Sequence, residues 1–439
     1  MKLSEELIWR GFSAETTIKN PADLDTREPK NFYWGADPSA DSLTIGNLAA
    51  LMMCACFVRH GYKPYLLVGG ATGQIGDPKE NGERELKPLE EVEHNKNCLK
   101  AQVEKIIGSA NDFSRGLCDN GSNASESPHN DGRDEASREK FVRATLVDNY
   151  DWFKDMKYLD FLREIGKNFS MTQLLDRQFV QNRIGAGGSG ISYAEFSYTL
   201  IQGYDFLHLY RKYGVTLQLC GADQYGNCTS GIHLIRTLEN ASADVWATPL
   251  IIDPITGRKF GKSEGNAIWL SSKDNGQGNS TSVFDFYQFW LNQPDEAVEN
   301  FLKIYTLLDK PEVDDIMTRH REHPEQRIAQ KALAQGVTAV VHGPDEAKAV
   351  SDLTTALFTA KSPNMAELEH FAHLLPAISL GTPITDALVT SGLCTSKSEA
   401  RKFIKQGAIS VNGTKVTAEI TLDTPGLLKR GKNKFAFIK

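Results

Sequence analysis

The chain has 439 residues, 40% hydrophobic and 24% charged, an ordinary globular composition, and it is too long for one compact core, so two to three domains are expected. Its net charge of −7 excludes a body coated throughout for nucleic acid, yet the charge is uneven: Thr390–Lys439 holds ten Lys/Arg against three Asp/Glu, leaving −14 on the other 389 residues. No stretch approaches the roughly 20 apolar residues of a membrane helix, the N-terminus lacks an apolar or Arg/Ser-rich leader, and seven scattered cysteines without a Cys-x-x-Cys pair suggest neither disulfides nor zinc. No membrane association and a cytoplasmic location are therefore expected.

The first half alternates strand-like and helix-like segments. Asn31–Ala36 is an aromatic run that stops at Gly35-Ala36-Asp37-Pro38, a strand ending in a turn. Ser42–His60 is apolar at helical length, with Asp41 or Ser42 available as N-cap. Gly61 breaks it, and Lys63–Val68 reads as a buried parallel strand closed by Gly69-Gly70. Strand, helix and strand with glycines at the strand ends make the βαβ unit of a doubly wound sheet, where ligands bind beyond the carboxyl ends of the strands. The polar stretch from about 109 to 140 has almost no large apolar residues and is expected to be a mobile surface insertion. Val215–Leu219 is a further buried strand, running into Cys220-Gly221-Ala222-Asp223. Helices then follow at Val283–Leu291 and Ala297–Leu308, with amphipathic stretches to about Ala372. The expected organisation is an α/β Rossmann-like domain over 1–250, a loop and linker over 251–281, a helical domain over 282–372 and a small basic α+β module over 380–439.

Four stretches carry chemistry. Asp37–Asn47 (DPSADSLTIGN) places Ser39, Ser42, Thr44 and Gly46 where a strand end meets a helix start; the free N–H groups there suit a phosphate, although any capped helix could read the same. Lys259–Gly265 (KFGKSEG) sets Lys259 and Lys262 three apart in a glycine-containing loop, fit to close over a triphosphate or to be a charged surface turn. In Glu195–Phe206 (EFSYTLIQGYDF), Tyr198, Gln202 and Asp205 fall on one helix face. That polar stripe is either a ligand site or a set of core residues bonded to each other. Thr395–Val416 combines a helix bearing Arg401, Lys402 and Lys405, capped by Ser396 or Ser398, with a tight turn at Asn412-Gly413 between two short strands.

Together, Thr44-Ile45-Gly46-Asn47 and Lys259-Phe260-Gly261-Lys262-Ser263 resemble the paired ATP signatures of class I aminoacyl-tRNA synthetases. Val68–Pro78 (VGGATGQIGDP), Glu195–Phe206 and Gly221–Asn227 (GADQYGN) sharpen the likeness to bacterial-type tyrosyl-tRNA synthetases, and Thr395–Val416 resembles an S4-type RNA-binding domain. The resemblance implies a tyrosine–tRNA ligase that forms tyrosyl-adenylate from tyrosine and ATP, then transfers tyrosine to the 3' end of tRNA(Tyr). It implies that Tyr33 and Asp205 bond the substrate phenol, while Tyr198, Gln202 and Asp77 hold its ammonium group. Gln224 would contact tyrosine or the transition state and Asp223 the ribose. Gly35, Asp37, Gly46, Asn47, Gly221 and Lys262 would line the ATP site, with Ser39, Thr44, Lys259 and Ser263 at the phosphates. Arg84 would meet pyrophosphate; a solvated surface arginine fits its sequence context nearly as well. No nucleophile beside a base stands out, and none is required when the tyrosine carboxylate attacks the α-phosphorus itself. Mg²⁺ would arrive on ATP, with no protein-bound metal, and Arg401, Lys402 and Lys405 would meet the tRNA backbone. A homodimer is also implied.

The family usually has His at the positions of Thr44 and Asn47; Thr44 loses an imidazole, so slower activation is expected. Two alternatives stand beside this reading. One is a tryptophanyl-type synthetase, disfavoured because an indole offers only a donor to the polar stripe. The other is a non-catalytic RNA-binding paralogue, supported by Thr44 and the insertion alone.

Overall fold

The computed structural model describes residues 1–78, 82, 84–114, 144–175, 178–185, 187–260, 267–359 and 368–439. Five parallel strands form the main sheet: β1 Asn31–Ala36, β2 Lys63–Val68, β3 Thr145–Val147, β4 Leu217–Gly221 and β5 Asp244–Thr248. Their order is β3-β2-β1-β4-β5, the doubly wound arrangement in which the chain reverses direction across the sheet between β1 and β4. Tyr33 on β1 stands beside Gln218 on β4 at that point. Helices cover both faces of the sheet, so five of the six residues of β2 and four of the five of β4 are buried.

The apolar helix after β1 spans Ile45–Arg59, with Thr44 as N-cap instead of Asp41 or Ser42. The reason is local: the Thr44 backbone N–H and hydroxyl both donate to Asn47 Oδ1, at 3.0 and 3.1 Å, a capping contact that fixes the start three residues later than the apolar pattern suggested. The strand expected at Val215–Leu219 runs instead over Leu217–Gly221, because its register follows β5 from Leu217↔Asp244 to Gly221↔Thr248. The helix Leu89–Ser114 continues through the first six residues of the expected polar insertion; the remainder from 115 to 143 lies outside the described residues.

Helices Tyr193–Tyr213 and Tyr225–Glu239 flank β4 in sequence and pack closely on each other. Gly231 permits this approach, since a Cβ there would stand 2.6 Å from the Phe206 side chain. The first of these helices has the polar stripe on a face whose neighbours, including Phe206, Leu207 and Leu209, are fully buried.

Contacts gather the described residues into two units, Met1–Thr281 with Gln293–Val341, and Ser282–Asn292 with His342–Lys439. The helices between 282 and 372 are thus shared between the two. In the second unit, helix Val283–Leu291 packs on helix Pro344–Thr359. The strands Ala377–Ile378, Lys434–Ile438, Gly426–Arg430, Ile409–Val411 and Thr414–Val416 make its five-stranded sheet. Ser396 Oγ caps helix Lys397–Lys405 by accepting from the Glu399 N–H. Asn412 and Gly413 turn with φ 49° and 81°, the left-handed pair a two-residue hairpin needs. Among the described residues, no helix is long and apolar enough to cross a membrane.

Candidate active site

The carboxyl ends of β1 and β4 bring Gly35, Asp37, Gly221, Asp223 and Gln224 to the chain-reversal point. The helix Tyr193–Tyr213 delivers Tyr198, Gln202 and Asp205 to the same place. The Tyr198 hydroxyl donates to Asp37 Oδ2 at 2.8 Å, joining that helix to the end of β1. Burial raises the Asp37 carboxyl, against bonds from Thr72 and Tyr198 that lower it.

Asp205 is only 2% exposed. Its Oδ1 accepts from Trp152 Nε1 at 2.9 Å and its Oδ2 from Asn149 Nδ2 at 3.1 Å. Burial still lifts this carboxyl well above the usual range, and each oxygen retains lone-pair capacity for one more donor. Tyr33 stacks obliquely on Phe206, ring centroids 5.1 Å apart. Its buried hydroxyl makes no well-formed hydrogen bond among the described residues, the neighbouring Gln218 side chain giving it only a loose polar contact, and Gln202 Oε1 and Gln218 Oε1 are likewise without a well-formed bond. Buried polar atoms left unpaired are costly, so three of them around one helix face and one strand pair mark a place shaped for a polar ligand.

Asp77 forms a second node. Gln224 Nε2 donates to its Oδ2 at 2.8 Å and Asn227 Nδ2 to its Oδ1 at 3.2 Å. Burial pushes the Asp77 carboxyl up to about 6, the bond from Gln224 acting against it. Arg84 reaches the same turn through its Nε, which donates to the Asp77 carbonyl at 2.6 Å. Asp223 is raised by burial and lowered by the Lys259 charge, so the lysine segment lies within electrostatic reach of the end of β4.

The two sequence motifs meet. A Cβ on Gly46 would stand 3.0 Å from the Phe260 carbonyl, so a side chain there would crowd the segment carrying Lys259, which glycine lets lie on the helix start. Beyond the lysine motif, the Ile45 N–H donates to Ile268 O and the Leu270 N–H to Leu43 O, at 3.0 and 2.9 Å. Lys262 and Ser263 lie outside the described residues. Thr44 and Asn47 are turned on each other in the helix cap, while Ser39 is exposed beside Asp37, its N–H bonded to the Asp37 carbonyl at 2.8 Å. Arg401, Lys402 and Lys405 belong to the second unit, exposed on helix Lys397–Lys405.

Sequence reasoning missed Asn149, Trp152, Thr72, Asn227 and Gln218. Asn149 is the hub: besides Asp205, its Nδ2 meets Thr72 Oγ1 at 3.0 Å, and its Oδ1 accepts the Ala71 N–H at 2.7 Å. Asn149 and Trp152 follow β3 directly, so the rule that strand ends carry ligand-contacting groups, applied to that strand, would have found them.

A doubly wound sheet with buried polar side chains gathered at its reversal point, and the start of its first apolar helix against the segment carrying Lys259, is the arrangement of a class I aminoacyl-tRNA synthetase. Residues 25–359, well over half of the chain, match the family model described as tRNA synthetases class I (W and Y), and residues 367–438 match the tyrosine–tRNA ligase SYY-like C-terminal domain. The tyrosine–tRNA ligase of Streptococcus agalactiae is 38% identical, with 99% of each chain covered, and that of Bacteroides fragilis is 37% identical over 100% of this chain and 99% of its own. The structure of a C-terminally truncated Aspergillus nidulans mitochondrial tyrosyl-tRNA synthetase superposes with a TM-score of 0.67 at 29% identity, covering 81% of this chain and 94% of that one. The chain belongs to the tyrosine–tRNA ligase family.

Proposed function

We propose that the pocket between β1, β4 and helix Tyr193–Tyr213 holds tyrosine, its phenol against Tyr33 and Asp205 and its ammonium group against Asp77, Tyr198 and Gln202. The activity is that of a tyrosine–tRNA ligase, which uses ATP to join tyrosine to tRNA. The observation that carries the pocket reading is the pair of buried atoms without a well-formed hydrogen bond, Tyr33 Oη and Gln202 Oε1, beside a doubly bonded Asp205. Tyrosine supplies a phenol that can both donate to Asp205 and accept from Tyr33; phenylalanine leaves both unmet in a dry pocket.

With tyrosine so placed, its carboxylate faces ATP lying over Gly35, Asp37, Gly46, Asn47 and Gly221. Asp223 meets the ribose and Gln224 the reacting carboxylate. Ser39, Thr44, Arg84, Lys259, Lys262 and Ser263 serve the phosphates. The carboxylate attacks the α-phosphorus and pyrophosphate leaves, so the protein contributes position and positive charge rather than a nucleophile. ATP enters as its Mg²⁺ complex, with the metal carried on the phosphates. Thr44 holds its hydroxyl against Asn47, which fits slow activation relative to relatives with an imidazole there.

The tyrosine is then transferred to tRNA(Tyr), bound through Arg401, Lys402 and Lys405 on the basic module at 380–439, with the helical region from 282 to 372 on the anticodon side. A homodimer fits the exposed apolar side chains of Tyr158, Leu159 and Tyr193, 61%, 75% and 61% accessible, with the two tyrosine hydroxyls 3.3 Å apart. The cytoplasm is the expected location. ATP–pyrophosphate exchange tests the reading: tyrosine supports it and phenylalanine and tryptophan do not. Exchange with none of the three, alongside retained tRNA binding, would favour the non-catalytic paralogue; exchange with tryptophan would favour the tryptophanyl type.

A further inference from the structure

We infer that Arg183 is a positioning residue for the activation step, holding the backbone ahead of Arg84 in register with the helix that carries Tyr198, Gln202 and Asp205. The inference rests on Arg84 being the pyrophosphate contact.

Arg183 and Glu195 form a buried ion pair, their side chains 2% and 1% exposed, with Nη2 to Oε2 at 2.7 Å and Nη1 to Oε1 at 3.4 Å. Glu195 sits in the first turn of helix Tyr193–Tyr213, its N–H donating to Ser192 Oγ at 3.2 Å. The guanidinium has donors to spare. Nε donates to the Gly190 carbonyl at 2.6 Å, and Nη1 to the Gly82 carbonyl at 3.0 Å. The Gly82 N–H donates in turn to Ser189 Oγ at 3.3 Å. One planar fork therefore ties the foot of the tyrosine helix to a backbone carbonyl two residues before Arg84.

From there the connections continue into the site. Arg84 Nε holds the Asp77 carbonyl, and the Asp77 carboxylate holds Gln224. The route from Glu195 through Arg183, Gly82, Arg84 and Asp77 thus joins the amino-acid side of the pocket to the phosphate side. Stability alone gives weak reason for such a pair, since burying both charges is costly and well-packed apolar residues often serve as well. What the apolar replacement lacks is direction: the rigid guanidinium fixes three segments at set angles, which neither an aliphatic side chain nor a lysine reproduces. Displacement of a catalytic group by about 1 Å can slow a reaction roughly 100-fold.

The test compares Arg183→Met and Arg183→Lys with wild type and Arg84→Ala, measuring adenylate formation per active site, normalised by active-site titration. Tyrosine affinity is measured separately by equilibrium dialysis. The expected result is a fall in the forward rate at saturating tyrosine, about 10- to 100-fold for Met and smaller for Lys, with tyrosine affinity within about 2-fold. If the Met variant does not fold, the Lys variant, which keeps a charge opposite Glu195, decides by the same two readouts. A wild-type rate per active site, or tyrosine affinity falling in step with the rate, overturns the inference. Arg84→Ala separates the two layers: if it leaves adenylate formation unchanged, the reading of Arg84 fails; if it slows the step and the Arg183 variants do not, only the inference fails.

Discussion

Replacing Tyr33 by Phe should act in opposite directions on folding and on substrate choice. In the free chain the Tyr33 hydroxyl is buried with only a loose contact to Gln218 and no well-formed hydrogen bond among the described residues. An unmet buried hydroxyl costs about 1–3 kcal/mol, so its removal should leave stability unchanged or raise it by up to that amount. The ring stays, with its contact on Phe206 and its place beside Gln218, so no cavity opens. With tyrosine bound, the same hydroxyl gains a partner; a neutral hydrogen bond contributes about 0.5–1.5 kcal/mol net, a factor of roughly 2 to 12 in affinity. Phenylalanine, having no hydroxyl, should lose nothing, so the Tyr/Phe ratio of kcat/KM in pyrophosphate exchange should fall by that factor. Urea unfolding supplies the other half of the measurement. A stability loss above about 1 kcal/mol would show that the hydroxyl is already bonded in the free chain, and an unchanged Tyr/Phe ratio would show that the phenol binds elsewhere.

Three further outcomes follow from the electrostatics. Asp77, lifted by burial to about 6, must be ionised to hold an ammonium group, so kcat/KM for tyrosine should fall as pH drops through about 6; an acid limb that stays below pH 5 would contradict this. Glu6 is the reverse case: burial would raise it, but the bond from His60 and the charges of Arg10 and Arg59 hold it down at about 2. Its folded-state value is depressed, so its contribution is present above about 4.5 and lost as pH falls towards 2. Glu6→Gln should therefore destabilise by up to about 3 kcal/mol at pH 7, with the gap to wild type narrowing in unfolding measured at pH 3; an equal gap at both pH values would refute it. Trp152→Phe removes the 2.9 Å donor to Asp205 and should raise KM for tyrosine by about 10-fold with little change in KM for ATP.

How much of this could be read from the sequence depended on whether a residue's partners were near it along the chain. β1, β2, the glycines at their ends and the Asn412-Gly413 turn all have local signatures, and each is where the pattern placed it. The polar stripe was legible because its members recur at helical spacing, although the sequence left open whether they bind a ligand or each other. The structure shows that Asp205 bonds Asn149 and Trp152, 56 and 53 residues away, and not the rest of the stripe. Such pairings leave no periodic trace, and the polar insertion before β3 hid the strand end that would have announced them. Thr44 illustrates the converse: its position was plain, but its cap with Asn47, which starts the helix, competes with the phosphate role that the motif suggests.

The most direct measurement is a crystal structure of the protein with a non-hydrolysable tyrosyl-adenylate analogue. The account places the phenol oxygen within hydrogen-bond distance of both Tyr33 Oη and Asp205, the ammonium group on Asp77, Tyr198 and Gln202, and the ribose beside Asp223. An analogue seated away from the ends of β1 and β4, or with its phenol outside the reach of Tyr33 and Asp205, would contradict it.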